Sequence, residues 1–213
     1  MKNFMIIGDS YSTYRGCIPE GYAVYYSAEG AGDDHPASKM AKEETWWMRL
    51  VEKTGANLVL NSSWSGSTIG YTSYNGNDVS MSASYIYRYR QLWRRDFFRQ
   101  NDIDTVFVFG GTNDSWCEAP LGEVKYDGFT ERDFYNVLPS ICYLMKVMKE
   151  DLPSTRIVFI LNCGLKGAIG DCMKAAGERY GIEVISLCGV EKLGGHPNAR
   201  GMEQICEQVL AAL

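Results

Sequence analysis

The chain has 213 residues, carries a net charge of −5, and is 46% hydrophobic and 22% charged. Such a composition is typical of one soluble globular domain, in which folding buries roughly 70% of the surface of the unfolded chain. The acidic balance argues against nucleic acid or an anionic membrane surface as the main partner. No apolar run approaches the roughly 20 residues of a membrane-spanning helix, and no signal-peptide pattern precedes the first apolar run. We therefore expect a cytoplasmic location.

Seven cysteines are spread along the chain, at positions 17, 117, 142, 163, 172, 188 and 206. Their number is odd and no two of them form a C-x-x-C pair, which favours reduced thiols over disulfides and disfavours a structural zinc site. We expect neither a metal nor an organic cofactor.

In chain order, five short apolar runs have the character of buried β-strands. They cover Asn3–Ile7, Asn57–Leu60, Thr105–Phe109, Arg156–Leu161 and Ile182–Leu187. The segments between them include stretches whose apolar residues recur at helical spacing. Strands that alternate with helices predict an α/β fold, with a mostly parallel five-stranded sheet covered by helices on both faces, over residues 1–213 as one domain. Ligands of such sheets bind beyond the carboxyl ends of the strands.

Two long connections interrupt this pattern, at about residues 11–45 and 64–84. Both are too long for plain turns, and such loops are usually functional or disordered. The first contains five tyrosines and the second contains Trp64, Tyr71 and Tyr74, a composition that disfavours disorder. Since both follow strands that should end at the same edge of the sheet, we expect them to line a pocket with aromatic surface.

The segment from Tyr85 to Arg99 mixes five arginines with aromatic residues and so resembles a nucleic-acid-binding stripe. In an acidic chain, one basic helix is better explained by a solvated face beside a packed face. We therefore predict that these arginines belong to a solvated face.

Three polar side chains stand at the ends of predicted elements. Ser10 follows the first strand, Asn113 follows the third, and His196 precedes the last predicted helix. A serine becomes a nucleophile when a base takes its proton, and only His35 and His196 are available as histidine bases. The Asn113 amide offers donors to a developing oxyanion, and Gly66 can bring its backbone N–H close to a substrate. Each residue alone is more often a turn or cap residue, but the four in this order favour a serine hydrolase.

Four blocks together resemble the SGNH/GDSL hydrolases, a family named for serine, glycine, asparagine and histidine. The blocks are Gly8-Asp9-Ser10, Asn61 through Gly66, Gly111-Thr112-Asn113-Asp114 and His196-Pro197-Asn198. The resemblance implies that Ser10 is the nucleophile and His196 the base. It also implies an oxyanion hole made by the Ser10 and Gly66 backbone N–H groups and the Asn113 amide, with Asp9 in support. The family fold is a flavodoxin-like three-layer α/β/α sandwich, in agreement with the predicted elements.

One position departs from the family pattern. The family usually places an aspartate three residues before the histidine, where it orients the ring and stabilises the imidazolium, and here that position is Leu193. In one serine protease, neutralising this carboxylate lowers kcat by about 10⁴. Three alternatives are open: Glu191 reaches the ring, a main-chain carbonyl holds the Nδ1 proton in a Ser–His dyad, or a carboxylate comes from elsewhere. We expect Glu191 to be the third catalytic residue.

These residues predict a serine esterase that forms an acyl-enzyme on Ser10. The polar, aromatic and glycine-rich loops favour a short-chain acyl ester, with O-acetyl groups on a carbohydrate as the first choice. The alternatives are a lysophospholipase or thioesterase, acyl transfer to a sugar hydroxyl, and a non-catalytic carbohydrate-binding module, since the aspartate is missing. The expected partner is a small-molecule ester, and the sequence does not determine the oligomeric state.

Overall fold

A five-stranded sheet forms the centre of the computed structural model, which describes all 213 residues. The strands are β1 (Asn3–Gly8), β2 (Asn57–Ser63), β3 (Thr105–Gly110), β4 (Arg156–Leu161) and β5 (Glu183–Ser186). Their order is β2-β1-β3-β4-β5, and every neighbouring pair is parallel. This order is that of the flavodoxin-like doubly wound sheet, so the predicted fold class is confirmed.

Seven α-helices accompany the sheet. They are α1 (Trp46–Thr54), α2 (Tyr85–Arg94), α3 (Phe97–Gln100), α4 (Thr112–Trp116), α5 (Val137–Asp151), α6 (Gly167–Tyr180) and α7 (Ala199–Ala212). A separate antiparallel ribbon, β6 (Lys192–Leu193) and β7 (His196–Pro197), precedes α7. None of the helices combines the length and the apolar character that crossing a bilayer requires.

Each face of the sheet packs against its own hydrophobic core. One core joins Met5 and Ile7 of β1 to α2, α5 and α6. The other joins Phe4 and Ile6 of the same strand to α1, α7 and tyrosines of the first long connection. Since successive side chains of a strand point to opposite faces, β1 contributes to both cores and is buried from Phe4 onward. The molecule therefore has three layers, with β1 near the centre of the middle one.

The two long connections are tied to the carboxyl edge of the sheet by polar side chains. The Ser12 carbonyl accepts a 2.7 Å hydrogen bond from Asn61 Nδ2 at the end of β2. The Asp114 carboxylate, at the start of α4, accepts a 3.0 Å hydrogen bond from the Ile69 backbone N–H. These bonds attach both connections to the edge at which β1, β2 and β3 end.

Candidate active site

A tight turn at the end of β1 presents Ser10. Gly8 lies so close to β2 that a Cβ there would stand 2.6 Å from Ser63 Oγ, which explains the glycine. Asp9 caps the 3₁₀ turn that follows, because its Oδ1 accepts a 3.0 Å hydrogen bond from the Tyr11 backbone N–H. The carboxyl is fully buried and its Oδ2 has no partner, so burial raises the pKa of Asp9 to about 7. The two residues before Ser10 therefore shape the turn that positions it.

Ser10 and His196 meet across the carboxyl edge of the sheet. His196 Nε2 lies 2.9 Å from Ser10 Oγ. The histidine stands in β7, directly after a turn in which Gly194 and Gly195 have φ of +58° and +82°, values that favour glycine. Burial lowers the pKa of His196 to about 4, although the Gly194 carbonyl raises it. The imidazole is therefore neutral at pH 7 and can accept a proton from the serine.

The structure does not bring Glu191 to His196, contrary to the expectation from sequence. Glu191 Oε1 accepts a 2.6 Å hydrogen bond from Asn198 Nδ2, and the carboxylate makes neither a hydrogen bond nor an ion pair with the imidazole. His196 Nδ1 lies instead 3.4 Å from the Gly194 carbonyl oxygen. The physical reason is local: Asn198, the N-cap of α7, turns its amide toward Glu191 and draws the carboxylate to the start of that helix.

Asn113 is held so that part of its amide is available to a ligand. Its Nδ2 donates a 3.0 Å hydrogen bond to the Ser67 carbonyl, and its Oδ1 accepts a 2.8 Å hydrogen bond from the Tyr74 hydroxyl. An amide nitrogen has two protons, so the second N–H has no partner in this network. Gly66 precedes Ser67 with φ of +80°, and its backbone N–H has no acceptor within the protein. Both groups are donors of the kind that stabilises an oxyanion.

Arg88 is a residue of this region whose position was predicted wrongly. The sequence predicts a solvated face for it, but Arg88 is 1% exposed. It donates to the carbonyls of Gly8 and Ser62 and to Ser67 Oγ. Helical spacing from the buried Tyr85 places residue 88 on the same face of α2, which is a signal that could have identified it. Arg88 therefore connects the end of β1 to the loop that carries Gly66.

Two further residues of the site were not singled out from sequence as functional. Tyr74 orients the Asn113 amide, as described above, and the ring of Tyr25 lies on the imidazole of His196. Both belong to the aromatic-rich connections, so the composition indicated the loops but not the individual residues. No group of three or more His, Cys, Asp or Glu side chains is arranged to hold a metal ion, and all seven cysteines are free.

Comparison with known proteins places the chain in a family. Residues 2–213 match the model of the GDSL-like lipase/acylhydrolase family. The chain belongs to this family. Its members are hydrolases of acyl esters, and the match covers the serine, glycine, asparagine and histidine blocks together. The predicted family is therefore confirmed.

Solved structures of GDSL-like proteins are similar over nearly their whole length. A protein assigned as a GDSL-like lipase from Bacteroides ovatus is 35% identical, with a TM-score of 0.90, over 100% of this chain and 97% of that one. A second, from Bacteroides uniformis, is 37% identical, with a TM-score of 0.87, over 100% and 95%. An acetyl xylan esterase from Butyrivibrio proteoclasticus shares the fold at 15% identity and a TM-score of 0.62, over 100% of this chain and 63% of its own. No curated protein sequence gives a significant match.

Proposed function

We propose that this GDSL-family hydrolase is a serine esterase that removes a short acyl group, with acetylated carbohydrate as its substrate class. The observation that carries the proposal is the 2.9 Å contact between His196 Nε2 and Ser10 Oγ. A neutral imidazole at hydrogen-bond distance from a serine hydroxyl is the arrangement that nucleophilic catalysis needs. A module that only binds carbohydrate would not need this contact between His196 and Ser10.

The reaction follows from these positions. His196 takes the proton of Ser10 as the serine oxygen attacks the ester carbonyl, and the carbonyl oxygen becomes negative. That oxyanion accepts hydrogen bonds from the second N–H of Asn113 and from the backbone N–H groups of Gly66 and Ser10. His196 then gives its proton to the leaving alcohol, which leaves the acyl group on Ser10. Water, deprotonated by the same imidazole, releases the acid and restores the serine.

A groove beside the loop that carries Gly66 supports a carbohydrate as the alcohol part. It has a volume of about 670 Å³, and its walls include Tyr22, Trp64, Glu20, Gln91 and Arg95. The rings of Tyr22 and Trp64 lie 4.3 Å apart at 33° to one another. Aromatic faces combined with carboxylate, amide and guanidinium groups match the apolar faces and hydroxyls of sugar rings. The acetyl xylan esterase that shares the fold acts on a substrate of this class.

The proposal is tested by labelling and by substrate chain length. A fluorophosphonate should label Ser10, and Ser10→Ala should abolish both the labelling and the hydrolysis of p-nitrophenyl acetate. Among p-nitrophenyl esters of rising chain length, acetate should be cleaved best, and acetylated xylan or cello-oligosaccharide should release acetate. Labelling that survives Ser10→Ala would exclude Ser10 as nucleophile. A preference for long acyl chains would instead indicate a lysophospholipase type of activity.

A further inference from the structure

The imidazole of His196 has little polar support on the side away from Ser10. Its Nδ1 lies 3.4 Å from the Gly194 carbonyl oxygen, longer than the roughly 2.7–3.2 Å of an ordinary N–H···O hydrogen bond. Glu191 is engaged by Asn198, and Leu193 cannot form a hydrogen bond through its side chain. The contact with Ser10 and one long contact with Gly194 leave the ring able to tilt about the line between them, so its plane has to be fixed by its packing.

Aromatic rings provide that packing. The ring of Tyr25 lies flat on the imidazole, with centroids 3.7 Å apart and an interplanar angle of 9°. Trp116 meets the imidazole edge-on at 5.5 Å and 71°, and Tyr11 lies at 5.4 Å and 56°. Of the three, only Tyr25 is parallel to the imidazole, and a parallel contact resists tilting of the ring plane most directly.

Tyr25 is itself anchored to the turn that presents the nucleophile. Its backbone N–H donates a 2.9 Å hydrogen bond to Thr13 Oγ1, and that hydroxyl donates a 3.1 Å hydrogen bond to the Ser10 carbonyl. The next residue, Tyr26, donates through its hydroxyl to the carbonyl of Pro197 at 2.8 Å. The segment that carries the stacked ring is therefore bonded on one side to the turn of Ser10 and on the other to the strand of His196.

We propose that Tyr25 is the positioning residue of His196, holding the imidazole in the plane that directs Nε2 to Ser10 in place of the absent triad aspartate. The inference rests on the proposed serine esterase function and adds a residue to it. Tyr25 is 7% exposed, so its ring is covered by the imidazole and its other neighbours and is not a platform for substrate.

The same contact stabilises the charge that develops during acylation. When His196 accepts the serine proton it becomes a cation, and the face of an aromatic ring attracts a cation that lies within about 6 Å of its centroid. Other features of this region oppose that charge: burial lowers the pKa of His196, and the Lys192 ammonium lowers it further. Tyr25 thus supplies, through its π face, part of the stabilisation that a carboxylate supplies in a triad.

Two substitutions at Tyr25 distinguish the effect of the aromatic face from the effects of the hydroxyl and of apolar bulk. Tyr25→Leu keeps an apolar side chain but removes the aromatic face, whereas Tyr25→Phe keeps the face and removes the hydroxyl. With p-nitrophenyl acetate, Tyr25→Leu should lower kcat by about 10-fold or more with KM changed by less than about 3-fold, because the buried ring offers little surface to a substrate. Tyr25→Phe should restore kcat to within about 3-fold of wild type.

Tyr14 offers a matched control in the same connection. It is buried to a similar degree, at 8% exposed, and its hydroxyl donates to the Met40 carbonyl rather than toward the site. Tyr14→Leu should leave kcat within about 3-fold of wild type. The proposal is overturned if Tyr25→Leu keeps the wild-type kcat, if Tyr25→Phe loses as much as Tyr25→Leu, or if Tyr14→Leu loses as much as either.

A second measurement covers the case in which Tyr25→Leu fails to fold. The chain has only two histidines, so proton NMR of the wild-type protein resolves the ring protons of His196, with His35→Asn assigning the other set. Stacking on Tyr25 should shift the His196 ring protons clearly upfield, and Tyr25→Phe should preserve the shift. Unshifted resonances would overturn the stacked geometry. The NMR measurement needs no substrate, so it tests the stacking independently of the proposed function. If the resonances are shifted upfield but Ser10 is not labelled and no ester is hydrolysed, the stacking is correct and the proposed function is wrong.

Discussion

The hydroxyl of Tyr74 donates a 2.8 Å hydrogen bond to Oδ1 of Asn113, on the side of the amide opposite to its donor nitrogen. This bond does two things. It selects the orientation in which Nδ2 points toward Ser67 and the substrate side, and it draws electron density toward Oδ1, which makes the N–H groups better donors. Burial raises the pKa of Tyr74 to about 12, so the hydroxyl keeps its proton throughout the working range of the enzyme.

Tyr74→Phe should therefore lower kcat by about 3- to 10-fold with little change in KM, since a lost orienting hydrogen bond is worth about 1 kcal/mol. Asn113→Ala, which removes the donor itself, should cost about 10²–10³ in kcat. Steady-state kinetics on p-nitrophenyl acetate measures both. An Asn113→Ala enzyme with normal kcat would remove this residue from the oxyanion hole, and a Tyr74→Phe effect confined to KM would assign Tyr74 to substrate binding.

Glu191→Gln should leave kcat within about 3-fold of wild type, because the carboxylate contacts Asn198 and not His196. Glutamine keeps the oxygen that accepts from the Asn198 amide, so the start of α7 should remain intact. The comparison is with His196→Gln, which should abolish turnover. A loss of about 10⁴ in the Glu191 variant would show instead that the carboxylate swings to the imidazole in the working enzyme.

Arg88→Met should reduce the free energy of unfolding by about 3 kcal/mol or more, since several buried acceptors lose their donor. The acceptors include the carbonyls of Gly8, Ser62 and Ala83. Arg95, which follows the same helix, is exposed and its guanidinium makes no hydrogen bond, so Arg95→Met should change stability by less than about 0.5 kcal/mol. Urea unfolding measures both variants, and equal losses would contradict the structural role of Arg88.

The pH dependence of kcat/KM should show an acid limb near pH 4. His196 acts as a base only when neutral, and its pKa of about 4 keeps it neutral well below the ordinary histidine value of 6.5. The same shift affects stability: between about pH 6.5 and 4 the unfolded chain takes up a proton that the folded chain does not, so stability falls as the pH falls. Circular dichroism at each pH separates unfolding from titration. A limb near pH 6.5 would mean that the imidazole is more solvated than described.

Tyr22→Ala should raise KM for an acetylated oligosaccharide by about 5-fold or more and leave p-nitrophenyl acetate unaffected. The ring belongs to the groove beside Trp64, whose lining does not include Ser10, Asn113 or His196, so we expect only a substrate with several sugar rings to reach it. Tyr135→Ala is a suitable control, because Tyr135 is a partly exposed tyrosine outside this groove. If Tyr22→Ala leaves the KM for the oligosaccharide at its wild-type value, the carbohydrate binds outside this groove.

The strands were predictable because each contains a short apolar run, and Arg156–Leu161 was predicted with the observed bounds. The predicted Ile182–Leu187 is one residue longer at each end than β5, Glu183–Ser186. Where polar residues extend a strand, the prediction stopped early. β2 continues through Asn61, Ser62 and Ser63, which are buried because they bond to Ser12, to Arg88 and to one another. Hydrogen-bond partners as distant in sequence as Ser12 and Arg88 leave no periodic pattern in the sequence of the strand.

The positions of the candidate site residues were predictable, whereas their detailed contacts were not. Ser10 and Asn113 follow parallel strands, whose ends meet at one edge whatever the loops do. The partner of His196 Nδ1 depends instead on how one short ribbon packs. Glu191 is close to His196 in sequence, but its carboxylate bonds to the capping amide of Asn198 and not to the imidazole. The solvated face predicted for Arg88 is wrong, because its position on the buried face of α2, and not its charge, determines its exposure.

The separation of 186 positions in sequence between Ser10 and His196 has a consequence for how the active enzyme forms. The proposed nucleophile follows the first strand of the chain and the proposed base lies in the last ribbon, and neither has any catalytic value without the other. A refolding chain can therefore complete the core that joins Met5 and Ile7 to α2, α5 and α6 and still be inert until α7 docks and carries β7 to the sheet edge. Long-range contacts of this kind are the slow ones to form. Ester hydrolysis is thus a late marker of refolding, and its recovery should lag behind the burial of Tyr85 and Tyr89 in that core.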